Sequence, residues 1–238
     1  MPNNLFVGKI ASGYDTASSD MFAPEVLEPA VTFLAEAAAG GAALELGIGT
    51  GRVALPLSQR GVRVHGIDIS RDMIAHLQAK PGSDAIEVTV GDFASTKVPG
   101  TFALAYVVFN AISNLCTQDE QVACFCNVAA HLQPGGRFVM ELWILDLQRL
   151  PPGDTFQSFD VSPSHLGIDE IDVASQLGVS HHYSIVGDRI EQFDSPWRHV
   201  WPAELDLMAR IAGLALRERW ADWDRSPFDG NSRKHISV

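Results

Sequence analysis

Residues Leu44 to Arg52 read Leu-Glu-Leu-Gly-Ile-Gly-Thr-Gly-Arg, a stretch whose residue types and spacing suit the chemistry of a nucleotide-like ligand. A short apolar run, Ala42 to Leu46, ends in glycines at alternate positions, Gly47, Gly49 and Gly51, and a helical pattern follows from Arg52. Glycine permits positive φ and lets backbone approach a ligand closely, and a helix start offers unpaired N–H groups to an anion. Glu45, just before the turn, favours a cationic or amine-bearing group beside it. A second apolar strand, Val62 to Ile67, ends in Asp68. That acid lies roughly 20 residues past the turn, where nucleotide-binding α/β folds hold a ribose, and its two oxygens can accept from both ribose hydroxyls. A third strand, Ala85 to Val90, ends in Gly91-Asp92-Phe93. The glycine spacing departs from the G-x-G-x-x-G of dinucleotide sites, and a pyrophosphate needs the helix start kept free of acid.

These residues resemble the motifs of class I S-adenosylmethionine (SAM) methyltransferases, whose first motif reads E/D-x-G-x-G-x-G; the likeness is good over roughly Tyr14 to Trp143. The resemblance implies an α/β fold with a Rossmann-like, seven-stranded, mostly parallel sheet, SAM as methyl donor and S-adenosylhomocysteine as product. It places Glu45, Gly47, Gly49, Gly51 and Arg52 around the amino-acid end of SAM, with Glu45 balancing the ammonium. It sets Asp68 on the ribose, Asp92 at the adenine amino group and Phe93 on the ring. Ile69 and Met73 either pack beside the adenine or belong to the core. Asn110, Ser113 and Asn114 follow strand four; Asn110 is assigned to the cofactor, Ser113 and Asn114 to substrate. In small-molecule members an N-terminal tyrosine often closes over the donor, a position that Tyr14 matches loosely; the alternative is a tyrosine anchoring the first helix.

The elements that must position these residues are legible in outline. A leading segment, Leu5 to Asp20, precedes a helix from about Pro24 to Ala39. Ser70 has the character of a helix N-cap, with Asp72 in the first turn. Strand four, about Phe102 to Phe109, is apolar throughout, as a strand covered on both faces should be. A helix from about Asp119 to Leu132 is stopped by Gln133-Pro134-Gly135-Gly136, and strand five follows at Arg137 to Leu142. Residues 150–202 form an antiparallel insertion within a single domain of residues 1–238. Val179 to Val186 and Arg189 to Phe193 are its strands, Gly187-Asp188 its hairpin turn, and Trp197 to Trp201 a further short strand. The resemblance implies a lid that selects substrate; the alternatives are a packing flap or a contact in a homodimer. A helix from Pro202 to Gly213 and strands Ala215 to Trp223 and Lys234 to Val238, an antiparallel pair in the family, complete the sheet.

Methyl transfer from a sulfonium is an in-line displacement, so much of the catalysis lies in alignment, and a base is needed only where the nucleophile must lose a proton. His181 and His182 are the candidate bases, with Tyr14 beside them in the catalytic set; the histidines alternate on a strand, so one of them faces the site. His131, in the helix before Pro134, is discounted. Trp143, after strand five, either lines an apolar pocket or belongs to the core. No Asn/Asp-Pro-Pro-Tyr follows strand four, no Pro-Cys pair occurs, and no carboxylate follows strand four before Asp119. Those absences disfavour DNA bases as acceptors and predict no metal. A small-molecule acceptor remains, methylated on oxygen or nitrogen, and the layout resembles bacterial enzymes that modify natural products or their sugars.

The global numbers agree. The chain has 238 residues and a formal net charge of −12, a balance that repels a phosphate backbone. Cys116, Cys124 and Cys126 include no C-x-x-C pair, an odd count that fits a reducing, cytoplasmic setting. Met1-Pro2-Asn3-Asn4 lacks the features of a signal peptide, and no apolar run approaches the roughly 20 residues of a membrane span. Two other readings stay open. A nicotinamide-dependent oxidoreductase is disfavoured by Glu45, by the glycine spacing and by the lack of a Tyr-x-x-x-Lys pair. A SAM-binding protein without catalysis would share every motif.

Overall fold

A computed structural model describes residues 4–147 and 150–238; Met1 to Asn3, part of the stretch read above for a leader, lie outside them. In chain order the elements are α1 (Lys9–Ala17), a 3-10 turn (Ser19–Phe22), α2 (Pro24–Ala38), β1 (Ala43–Leu46), α3 (Ala54–Gln59), β2 (Val64–Asp68), α4 (Arg71–Gln78), β3 (Glu87–Val90), β4 (Phe102–Val107), α5 (Gln118–His131) and β5 (Leu132–Trp143). Then come β6 (Phe156–Val161), β7 (His165–Asp172), β8 (Leu177–Val186), β9 (Arg189–Arg198), α6 (Pro202–Ile211), β10 (Arg219–Trp220) and β11 (Lys234–Ser237).

Seven strands form one sheet in the order β10-β11-β5-β4-β1-β2-β3. β3, β2, β1, β4 and β5 run parallel, while β11 is antiparallel to both β5 and β10. The expected α/β sheet is therefore present. Its strands alternate between two cores: Leu104 and Tyr106 of β4 pack with α2 and α3, and Ala105 and Val107 pack with α5 and α6. Burial on both faces explains why β4 is apolar throughout. Ser70 caps α4 by accepting from the Met73 amide, and Thr117 with Glu120 forms a capping box on α5.

Three strands of this sheet differ in extent from the sequence reading. A 3-10 turn at Ser83–Ala85 shortens the third strand from its start. β5 begins at Leu132, because the Gln133 to Gly136 stretch is absorbed as an irregularity: Phe102 pairs with Leu132, and Leu104 already with Arg137. The strand expected over Ala215 to Trp223 shrinks to Arg219–Trp220.

The largest difference is the insertion, a second sheet of four antiparallel strands in the order β6-β7-β8-β9. The Gly187-Asp188 turn joins β8 to β9, with Val186 paired to Arg189. β6 and β7 escaped detection because exposed Phe156, Val161 and Leu166 and scattered acids blur their alternation. Trp197 does not start a new strand. β9 runs through Pro196 to Arg198, as an edge strand can, since its outer N–H groups need no partner. Cys124 is buried and Cys126 exposed, and no disulfide joins the described cysteines. Among the described residues no helix is long and apolar enough to cross a membrane.

Candidate active site

The carboxyl ends of β1, β2, β4 and β5, the helix α1 and the inner face of the second sheet enclose a cavity of about 1780 Å³. A pocket for one small ligand occupies about 300–1,000 Å³, so this one has room for two. Tyr14, Glu45, Gly47, Gly49, Arg52, Asp68, Ile69, Met73, Asp92, Phe93, Asn110, Ser113, Asn114, Trp143 and His182 all line it. Gly51 and His181 do not.

At the glycine turn, Gly47, Gly49 and Gly51 have φ of 70°, 54° and 80°, values that suit residues without a Cβ. The turn's amides are largely spent within the fold. Those of Gly47 and Ile48 donate to the Ile67 carbonyl, that of Gly51 to Ile48, and that of Gly49 to Asp68 Oδ2 at 2.7 Å. The helix beyond begins only at Ala54 and spans 6 residues. The expected row of free helix-start N–H groups is thus largely absent, and the positive group at this end is Arg52. Its guanidinium lies 5.1 Å from the centre of the Phe109 ring and donates to the Met21 carbonyl. Gly51 serves packing instead, because a Cβ there would sit 2.3 Å from Leu77 Cδ1.

Glu45 is only 2% exposed, and its Oε2 accepts from the Tyr106 hydroxyl at 2.9 Å. Burial pushes its carboxyl up to about 8, against the smaller opposing effects of the Tyr106 bond and the Arg52 charge. Tyr106 was not singled out in the sequence, since it reads as one more apolar residue of β4. Asp68 Oδ1 accepts from the Ser70 amide, so this acid helps start α4 although Ser70 supplies the cap. Burial raises the Asp68 carboxyl too. Asp92 Oδ1 accepts from the Ala94 amide, and Phe93 stands beside Gly47, where a Cβ would lie 3.7 Å from its ring. Asn127 donates to the Phe93 carbonyl and bonds through its own carbonyl to His131 Nδ1, while His131 Nε2 accepts from Val98. The discounted histidine is a buried brace for that loop.

After β4 the backbone turns through two left-handed residues, Phe109 (φ 53°) and Asn110 (φ 59°). Asparagine tolerates this conformation, whereas a bulky residue is strained by it. Glu141 of β5 holds the turn: its Oε2 accepts from the Phe109 amide and its carbonyl from the Asn110 amide. The result sets the Phe109 ring against both Arg52 and Trp143, the latter at 5.3 Å and edge-on. Trp143 is 48% exposed, so it belongs to the cavity wall and not to the core. Ser113 is buried and Asn114 exposed on the 3-10 turn that follows.

The leading segment forms α1, which lies over the glycine-turn end. Asp15 accepts from Thr50 Oγ1 at 2.6 Å and pairs with Lys80 at 2.5 Å, Asp72 accepts from the Gly8 amide, and Ser70 Oγ donates to the Phe6 carbonyl. Tyr14 packs edge-on against Phe6, and burial raises its phenol above the ordinary value. Lys9 pairs with Glu191 of β9 and so joins α1 to the second sheet. Sequence spacing carries no signal for these long-range contacts.

The inner face of the second sheet supplies the opposite wall. Ser180 stands next to Asp169 and Ser195 in register, His182 next to Gly167 and Phe193. Trp197 Nε1 donates to Ser180 Oγ, which donates in turn to Asp169 Oδ1 at 2.5 Å. Gly167 and Gly178 leave space for the rings of Phe159 and Trp197. His182 lies between Phe159 and Phe193, at 5.2 and 5.7 Å. His181 points to the other face, where Asp194 and then Glu170 hold its imidazole above the ordinary value. Buried His199 also lines the cavity; burial lowers it to about 4, and among the described residues its Nε2 has no hydrogen-bond partner.

Residues 43–136 match a family model described as a methyltransferase domain. Over almost its full length the chain is similar to the CcbJ methyltransferase of Streptomyces caelestis: 36% identity, a TM-score of 0.88, and coverage of 98% of this chain and 96% of that one. It is 28% identical over 207 residues to a cypemycin N-terminal methyltransferase of Streptomyces sp, covering 84% of this chain and 82% of that protein. The fold is shared with a SAM-bound amino pentose methyltransferase of Micromonospora echinaspora involved in calicheamicin biosynthesis (TM-score 0.67, 20% identity, covering 99% of this chain and 98% of that one).

Proposed function

Because the chain belongs to the SAM-dependent methyltransferases, we infer that its large cavity holds SAM at the glycine turn and a small natural product or sugar against the second sheet. The methyl group goes to a nitrogen or oxygen atom of that acceptor, without a metal. The observation that carries this reading is the division of one cavity between two kinds of wall. The residues present suit the cofactor. Glu45 is a buried carboxyl with one hydroxyl partner and, among the described residues, a second oxygen left for an ammonium, which would favour its ionised form. Arg52 suits the carboxylate of the same amino-acid moiety, Asp68 keeps lone pairs for the ribose hydroxyls beyond its two amide bonds, and Gly47 and Gly49 present backbone at close approach. Asp92, Phe93, Ile69 and Met73 surround the place left for the adenine, with Asn110 at its edge. When bound, SAM supplies an activated methyl group on a sulfonium.

The chain's own work is orientation and exclusion of water. α1 with Tyr14 covers one side, and residues 150–202 act as the substrate lid on the other. The lid's inner face mixes hydrogen-bonding groups (Asp169, Ser180, Ser195) with flat aromatics (Phe159, Phe193, Trp197). That combination suits an acceptor rich in hydroxyls or amines with an apolar face, in keeping with the natural-product and amino-sugar acceptors in the relatives' names. Ser113, Asn114 and Trp143 complete the wall between the two ends. His182, on the cavity side, is the candidate proton acceptor. Among the described residues no group of three His, Cys, Asp or Glu side chains is arranged to hold a metal ion.

Calorimetry with SAM, S-adenosylhomocysteine and NAD(H) tests the donor end. Micromolar binding of the first two and none of NAD(H) is expected, and the reverse would sink the assignment. Methyl transfer from labelled SAM to a panel of amino sugars and polyols then tests the acceptor wall. Sustained transfer to none of them, with labelled methyl on protein or nucleic acid instead, would overturn the small-molecule reading.

A further inference from the structure

His182 is part of a line of side chains that crosses three strands of the second sheet. Asp160 Oδ2 lies 2.6 Å from His165 Nδ1, and His165 Nε2 lies 3.1 Å from His182 Nδ1. A carboxylate only accepts, so it fixes the His165 proton on Nδ1. Neutral His165 then presents the Nε2 lone pair, which accepts from His182 Nδ1–H. His182 Nε2 is left with its own lone pair and no partner among the described residues. The arrangement is built rather than incidental. Gly167 lets Phe159 lie against the His182 ring, Phe193 holds the other side, and Asp160 sits half-exposed at the outer end.

We propose that Asp160 and His165 are positioning residues for methyl transfer: the line holds His182 in the one tautomer that can take a proton from the acceptor at Nε2, and the Asp160 carboxylate at its end offsets the charge of the imidazolium that results. The inference rests on the reading of the cavity given above. In the step itself, the acceptor's nitrogen or oxygen lone pair makes the new bond to carbon while sulfur takes back the S–C pair. The extra proton on that nitrogen or oxygen passes to His182 Nε2. The positive charge is then offset by the Asp160 carboxylate at the far end of the line. Water takes the proton from Nε2 when product leaves. Burial, then His165, keeps His182 below the ordinary histidine value, so it awaits the acceptor neutral. The other titratable groups acting on it are Asp194 of β9 and Asp160 of β6, which raise it, and neighbouring His181, which lowers it. Lys9 and Glu191 face each other one row away.

Nitrogen-15 NMR of the full chain labelled at histidine tests this without an acceptor. Spectra of the free protein are expected to show His165 and His182 both protonated at Nδ1, with His182 titrating below the ordinary histidine value. Asp160→Asn should lower the His182 titration further, by about one pH unit, because an opposite charge favours the imidazolium. His165→Phe should release His182 to the Nε2–H tautomer. A purely structural contact would shift neither tautomer nor titration. An Nε2–H proton on wild-type His182, or a titration unmoved by Asp160→Asn in a variant with wild-type dispersion, overturns the proposal. Failure of S-adenosylhomocysteine to bind the same samples would instead count against the reading of the cavity, so the two failures are separable.

Discussion

At the scale of single residues, Glu45 makes the most exposed claim. Its carboxyl is held up to about 8 in the free protein, whereas an ammonium beside it would favour the ionised form. Between about pH 5 and 7.5 the free protein therefore holds a proton that the complex gives up. SAM affinity should rise with pH over that window, and binding should release up to one proton. Calorimetry in buffers of different ionisation enthalpy reads that proton directly, and Glu45→Gln should abolish the release. Asp68→Ala should weaken SAM by about 1.5–3 kcal/mol, the scale of a hydrogen bond to a charged group; unchanged affinity in a folded variant would refute the ribose assignment. His182→Ala should lower turnover by 10²-fold or more, the usual scale of general-base loss, while His181→Ala, on the outer face, should leave it near wild type with equal SAM affinity in both. Glu45, Asp68 and Asp92 were legible because acids at successive strand ends follow a spacing rule. Tyr106, Glu141 and His165 were not, because each matters through a partner on another strand that no local pattern marks.

Among elements, the glycine turn shows how one motif divides its labour. Gly47 and Gly49 border the cavity, while Gly51 admits Leu77 of α4. Gly51→Ala should cost about 2–4 kcal/mol of folding stability, combining a left-handed alanine with overpacking, measurable as a lower urea midpoint. If stability holds and only SAM affinity falls, Gly51 is a ligand contact after all. The parallel strands were legible from their apolar runs and terminal acids. β6 and β7 were not, since a sheet that covers a cavity carries serines, histidines and glycines on one face and exposed apolar residues on the other. Its period-2 signal is lost where both faces are mixed. That α1 covers the site was suggested only by the loose match of Tyr14 to the family, because its attachments, Asp15 to Lys80 and Gly8 to Asp72, span some of the longest separations in this half of the chain.

For the whole molecule, the net charge of −12 and the acids around the cavity favour neutral or cationic acceptors over anionic ones. The cavity itself belongs to no single element; the sheet, α1 and the second sheet each contribute a side. Their fastenings are unequal. Toward the glycine turn α1 is tied by Asp15, Gly8 and the Phe6 carbonyl, but among the described residues one exposed ion pair, Lys9–Glu191, ties it to β9. Such a surface pair is worth about 0–1 kcal/mol, so the seam between α1 and β9 opens at less cost than the donor side. That asymmetry predicts an order of traffic. The methyl donor enters first and its spent form departs last, with acceptors coming and going through the seam in between. Product-inhibition kinetics should show S-adenosylhomocysteine competing with SAM but not with acceptor. An acceptor destined for two methyl groups must then be released, or wait, while the donor is exchanged through the tighter door.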